Sequence, residues 1–249
     1  LNCFILYHAS TFSERYYGET KESYSLEELI LVRNYVVEKC NQLALEMERD
    51  AEGNIIYAGD IGQEAVLAMQ NLGQTYDQLD GYYPRPKPLA ASDFFSQQYI
   101  AGYYFPFSME ANYNQVMYIA NYPETMCHEL AHLRGYIFED EANFIAYLAC
   151  AESSDDYFRY SGNCLALLYS MNALYSADYE KWYELRLQYP NYIDADMRAQ
   201  NAYIDSHDTK VAEVSDKVND TYLKLNDQQD GVRSYGKMVD LLLAYRRSL

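Results

Sequence analysis

Two of the four histidines in the chain stand four residues apart, His128 and His132, with Glu129 beside the first. Four residues advance a helix by about 400°, so both imidazoles project from one face, one turn apart. That spacing lets two ring nitrogens reach one Zn2+ at about 2.0–2.1 Å. Glu129 is rotated by about 100° from His128. It falls short of a metal held by the histidines and can instead touch a water bound to it. That is the place of a general base in metal-assisted hydrolysis.

A catalytic zinc takes three protein ligands and keeps one position open for water. His8 and His207 are distant in sequence, whereas the acids Glu139, Asp140 and Glu141 begin seven residues after His132. Pro123 suits the first turn of a helix, and Gly135 can take the left-handed conformation that ends one. A second helix over about 138–151 then folds back and brings an acid early in its length to face the histidines. Glu139 shares a side of that helix with Asn143. Glu141, rotated by about 200°, shares one with Phe144 and Leu148. Helical geometry admits one of the two glutamates as ligand and does not choose between them. Cys127 sits about 100° around the helix from His128 and is poorly placed as a ligand.

The elements that position these residues are mostly helical. Residues 25–50 open with Ser25 and Glu28, a capping box, and carry Leu29, Val32, Val36, Leu43 and Met47 at helical spacing. Residues 62–79 read as a second helix, and 81–92, with three of the six prolines, as an extended loop. Residues 97–120 are rich in aromatic and β-branched side chains and predict two short strands, around 99–106 and 114–119, with Pro106 at a strand end or edge. Past the two metal-site helices, further helices are expected over 154–175, 178–187, 193–225 with a break, and 232–247, with a turn at 226–231. The fold class is mostly α (α+β): one domain over 1–249, with a small sheet beside the histidine helix and a helical C-terminal subdomain over 152–249.

The chain's 249 residues, 49% hydrophobic and 22% charged, are enough for a large core. Its net charge of −18 repels phosphate and anionic lipid surfaces, so nucleic acid is excluded as a partner. Five cysteines, at 3, 40, 127, 150 and 164, match no CxxC motif and read as small buried residues. The 29 tyrosines suit half-buried positions and by themselves name no ligand. No apolar run approaches the roughly 20 residues needed to span a bilayer.

The segments "ETMCHELAHLRG" and "EDEANFIAYLAC" resemble zinc metallopeptidases in which an HExxH helix precedes a glutamate helix of the form E-x-x-A-D. There the first Glu binds zinc, and the Asp supports a zinc-binding histidine from behind. The resemblance implies Glu139 as the third ligand and Asn143 as the supporting residue, an amide in place of the carboxylate. With "GYYFPFSMEANYN" and "YSGNCLALLY" added, most of the chain resembles the bacterial family called domain of unknown function 3810, which is similar to gluzincin-type peptidases. A zincin-like fold follows from that likeness. So does a zinc-dependent peptidase acting on a peptide or protein, with His128, His132 and Glu139 on Zn2+ and Glu129 as base.

In such an enzyme the hairpin forms the rim of the cleft. Its edge strand would pair with an extended substrate. Asn112 and Asn114, with Glu110, are the candidates to line that cleft or to cap the turn. Tyr160 is the candidate donor to the oxyanion. The family's N-terminal membrane helices imply that "LNCFILY" (1–7) follows a removed anchor, with 1–24 juxtamembrane and this domain extracytoplasmic at the cell membrane. Two other readings use the same site: a zinc-stabilised sensor or binding ectodomain without turnover, and a hydrolase of cell-wall amides.

Overall fold

The computed structural model describes residues 6, 8–18, 24–207 and 235–248. Helices begin where a side-chain oxygen meets the first turn's open N–H groups. Thr11 and Glu14 form a capping box for α1 (Phe12–Tyr16), Ser25 and Glu28 the expected one for α2 (Leu26–Glu46), and Asp60 caps α3 (Ile61–Thr75). A 3-10 turn, Asp77–Leu79, follows α3. Then come β1 (Lys87–Pro88), α4 (Ser92–Ser96), β2 (Gly102–Phe105) and β3 (Glu110–Tyr113). The helices that carry the histidine pair and the acidic cluster are α5 (Tyr122–Leu133) and α6 (Glu139–Ala151). After them come α7 (Asp156–Ala177), α8 (Tyr179–Arg186), α9 (Asn191–Ser206) and α10 (Tyr235–Ser248). The protein is therefore mostly helical with a three-stranded sheet.

The sheet order is β1-β3-β2, with β1 parallel and β2 antiparallel to β3. Two expectations change here. The second strand of the hairpin is Glu110–Tyr113 and not 114–119. The fully buried Asn114 ends it: its side-chain N–H groups donate to the Ser92 and Ile100 carbonyls and to Ser96 Oγ, and its Oδ1 accepts from the Val116 N–H. A side chain that binds its own backbone two residues on makes a turn, not a strand. Within the proline-rich loop, Lys87 and Pro88 add a two-residue strand beside Asn112 and Tyr113. Pro106 falls just past β2, as a residue without an N–H should. The turn expected at 226–231 and the helix beyond 207 lie outside the described residues, as does "LNCFILY" apart from Leu6.

Helix α7 runs through the core against α2, α5, α6 and α10. Among the described residues, those after residue 151 share one core with the N-terminal helices. α1 joins that core as well. Phe12 is fully buried, 4.8–6.2 Å from the rings of Tyr16, Tyr17, Tyr76, Tyr136 and Phe144. Many tyrosines fill core space while their hydroxyls reach acceptors: Tyr83 donates to Leu79 O and Tyr157 to Ile119 O. Among the described residues no helix is long and apolar enough to cross a membrane.

One buried charge ties the distal ends together. Asp196 on α9 is 2% exposed. It takes a bidentate pair from Arg49, at 2.8 Å to each oxygen, and hydroxyl hydrogen bonds from Tyr118 and Tyr160. Removing the cation strands the carboxylate. Arg49→Met should lower unfolding stability by about 3–5 kcal/mol in a denaturant titration.

Candidate metal centre

The turn that ends α5 also orients one of its histidines. Gly135 takes φ +96°, and the N–H groups of Gly135 and Tyr136 close on the His132 and Ala131 carbonyls. This brings the Tyr136 carbonyl back along the helix, where it accepts from His132 Nδ1 at 2.7 Å. A carbonyl can only accept, so the proton is on Nδ1 and the lone pair on Nε2. His128 Nδ1 likewise donates to Asn143 Oδ1 at 2.8 Å, and the Asn143 amide donates in turn to the Tyr169 hydroxyl at 2.7 Å. Both histidines therefore direct Nε2 into one cleft. Their ring centroids are 4.5 Å apart, with the planes at 87°.

Glu139 faces that pair from the first turn of α6. Its carboxylate lies 3.3 Å from His128 Nε2 and 3.7 Å from His132 Nε2. The three ligand atoms fall within 4.8 Å of one another, and this is the one such His/Cys/Asp/Glu group among the described residues. The side chain of Glu139 is 42% exposed, so the cleft opens to solvent. Glu141 points the other way. It is 4% exposed and accepts from the backbone N–H (3.0 Å) and hydroxyl (2.5 Å) of Ser13, docking α1 onto α6. Two nitrogens, each held from behind by a hydrogen bond to Nδ1, and one carboxylate form a donor set that a divalent metal could occupy.

Glu129 lies beside this set. It is 4% exposed, and its Oε2 has no hydrogen-bond partner. β2 passes directly over it: a Cβ placed on Gly102 would come within 2.8 Å of the Glu129 carboxyl carbon. Glycine is what lets the strand approach so closely. Burial pushes Glu129 up to about 8, opposed by His128 and reinforced by Glu139 and Glu124.

The other candidates are not at the cleft. Tyr160 is fully buried on α7 with its hydroxyl on Asp196, so it cannot donate to an oxyanion at this site. Its position in the sequence follows the glutamate helix, but its helical phase turns it inward. Asn114 is fully buried in the turn described above. Asn112 donates to the Tyr103 and Glu110 carbonyls within the hairpin, and Glu110 pairs with Lys87 and accepts from Ser108. All three serve the sheet. Cys127 is fully buried with its sulfur 3.8 Å from that of Cys150, away from the ligand set. Sequence reasoning missed the Tyr136 carbonyl, Gly102 and Glu124. Of these, only Glu124 had a readable signal, one helical turn before His128.

The family model described as "Protein of unknown function (DUF3810)" matches residues 1–243. The chain belongs to this family. No curated protein and no solved structure matches it.

In this DUF3810 member, a metal bound here would compete with protons for the same nitrogens. Burial alone would lower His128, but the hydrogen bond and charge of Glu139 outweigh it and push the imidazole up to about 9. Burial would raise Glu139, yet the two histidines hold it at about 2. His132 falls to about 4 through burial and the charge of His128. With Nδ1 committed to Asn143, the extra proton sits on His128 Nε2, facing Glu139. A metal must displace it. Apparent metal affinity should therefore rise about tenfold per pH unit between about pH 4 and 9 and level off above, as read by competition with a chelator.

Three substitutions separate the neighbours. Glu139→Ala should abolish stoichiometric metal binding. Glu141→Ala should keep it and lower thermal stability through the lost Ser13 contacts. Asn143→Ala should weaken metal affinity by about 10–100-fold.

Proposed function

We propose that this protein is a zinc-dependent, gluzincin-like hydrolase of peptide bonds, with His128, His132 and Glu139 holding the ion. The observation that carries this reading is the pairing of the convergent Nε2–Nε2–carboxylate set with a buried, unpartnered Glu129 carboxylate beside it. Three protein ligands in a solvent-open cleft match the catalytic pattern and not the closed, four-ligand structural one. Cys127 and Cys150 face each other and are not offered as a fourth ligand, so the arrangement favours turnover over a sensor. The resemblance of the two helices to zincins agrees with it, and the small sheet beside α5 is consistent with that fold.

Zinc supplies an acidified water and a polarised carbonyl in such sites. The protein supplies the rest. Glu129, raised by burial in the metal-free protein, is placed to take the proton of the attacking water on its unpartnered oxygen and to pass it to the leaving nitrogen. Asn143 and the Tyr136 carbonyl keep both imidazoles from rotating as charge moves.

β2 is the outer strand of the sheet. Asn114 N–H bonds Ala101 O at 2.7 Å, so with Gly102 opposite Tyr113 the alternation of an antiparallel ladder turns the Gly102 backbone groups away from β3. An extended peptide aligned on that edge would have its scissile bond beside Glu129.

The test is a pair of substitutions. Glu129→Ala should retain zinc and lose hydrolysis of a peptide library. Gly102→Ala should fold and bind zinc but lose about 100-fold in turnover, because the new methyl displaces the base. Unchanged hydrolysis by zinc-loaded Glu129→Ala would refute the mechanism.

A further inference from the structure

We propose that Glu124 recognises a cationic group of the substrate, an ammonium or guanidinium, held one helical turn from the metal ligands on the N-terminal side of His128. This rests on the hydrolase reading above and names the chemistry its substrate must carry.

Glu124, His128 and His132 follow one another at steps of four along α5, so all three share a face. The Glu124 carboxylate accepts from the Thr125 hydroxyl at 3.2 Å. Among the described residues it makes no ion pair, and part of its surface stays accessible. A first-turn acid is ordinarily favoured by the helix start. Here burial dominates and pushes Glu124 up to about 7, with His128 and Thr125 opposing. It is a carboxylate short of a cation.

The charges of the site point the same way. Among the described residues, the cationic influences on Glu124, Glu129 and Glu139 come from His128 and His132, with no Lys or Arg beside them. Glu139 is committed to the metal and Glu129 to the proton. Glu129 is itself buried with an unpartnered oxygen, so neither neighbour can relieve Glu124. A positive group on the bound substrate can. A free α-amino terminus and a basic side chain offer the same chemistry, and the experiment tells them apart.

The experiment is calorimetric binding of four dipeptide hydroxamates to the zinc-loaded protein: Lys or Leu side chain, each with a free or acetylated N-terminus. The expected result is that at least one cationic compound binds about 10–100-fold tighter than acetylated Leu, the range for a charge-assisted hydrogen bond. A preference that follows the side chain assigns a basic residue; one that follows the free amine assigns the chain terminus. Glu124→Gln should remove the preference while leaving acetylated-Leu hydroxamate affinity and zinc content unchanged, and Glu124→Lys should reverse the preference. Equal binding of all four compounds overturns this inference and leaves the hydrolase reading standing. So does a Glu124→Gln variant that loses zinc, because Glu124 would then be a ligand. Failure of any hydroxamate to bind overturns both.

Discussion

Two imidazole lone pairs and a carboxylate that face one another across a narrow cleft repel unless a positive charge stands between them. Everything around α5 and α6 enforces that confrontation. The Tyr136 carbonyl and Asn143 fix both Nδ1 protons on the outside, so both Nε2 atoms look inward. Glu139 completes the ring of donors from the opposite helix. Without a metal, a proton on His128 fills the gap, which is why that imidazole is raised although burial works against it. Metal and proton are alternative solutions to one electrostatic problem, and a divalent ion satisfies all three groups at once.

The surrounding fold keeps the two helices in register. The left-handed Gly135 ends α5 and returns the chain so that α6 starts beside it. Three acids crowd the first turn of α6, where the helix dipole favours them, yet each has a different environment. Glu139 turns to the histidines and Glu141 clamps Ser13 of α1. Asp140 is buried with one oxygen unpartnered and its carboxyl raised by burial. Behind them, Tyr169 on α7 braces Asn143, so the core's central helix reaches His128 through a single amide. On the open side the sheet contributes a strand with no side chain at Gly102, which brings a backbone edge onto Glu129.

Much of this was legible in the sequence because it depends on local spacing. The i, i+4 histidines, the capping box at Ser25, the helix start at Pro123 and the stop at Gly135 are written within a few residues of one another. Helical phase left Glu139 and Glu141 equal, since either side of α6 could have faced α5. The choice between them depends on where α1 docks, a contact 128 residues away in the chain. Tyr160 failed for the same reason: its partner Asp196 lies on a helix that sequence order does not bring near. The second strand ends a few residues early because Asn114 has the polarity of a cleft residue but spends its hydrogen bonds on α4, the Ile100 carbonyl and the Val116 N–H. Glu124 stands at helical spacing with the histidines, but an acid in a first turn is equally what a helix start favours, so spacing alone does not single it out.

The most direct test of the central claim is X-ray absorption at the zinc edge on the protein loaded with one equivalent of the metal. The account predicts a first coordination shell of nitrogen and oxygen only, with two imidazoles visible by their outer-ring scattering and zinc–nitrogen distances of about 2.0–2.1 Å. A sulfur at about 2.3 Å would place Cys127 or another thiol on the metal, and a shell without imidazole scattering would leave His128 and His132 off it; either result contradicts the site described here.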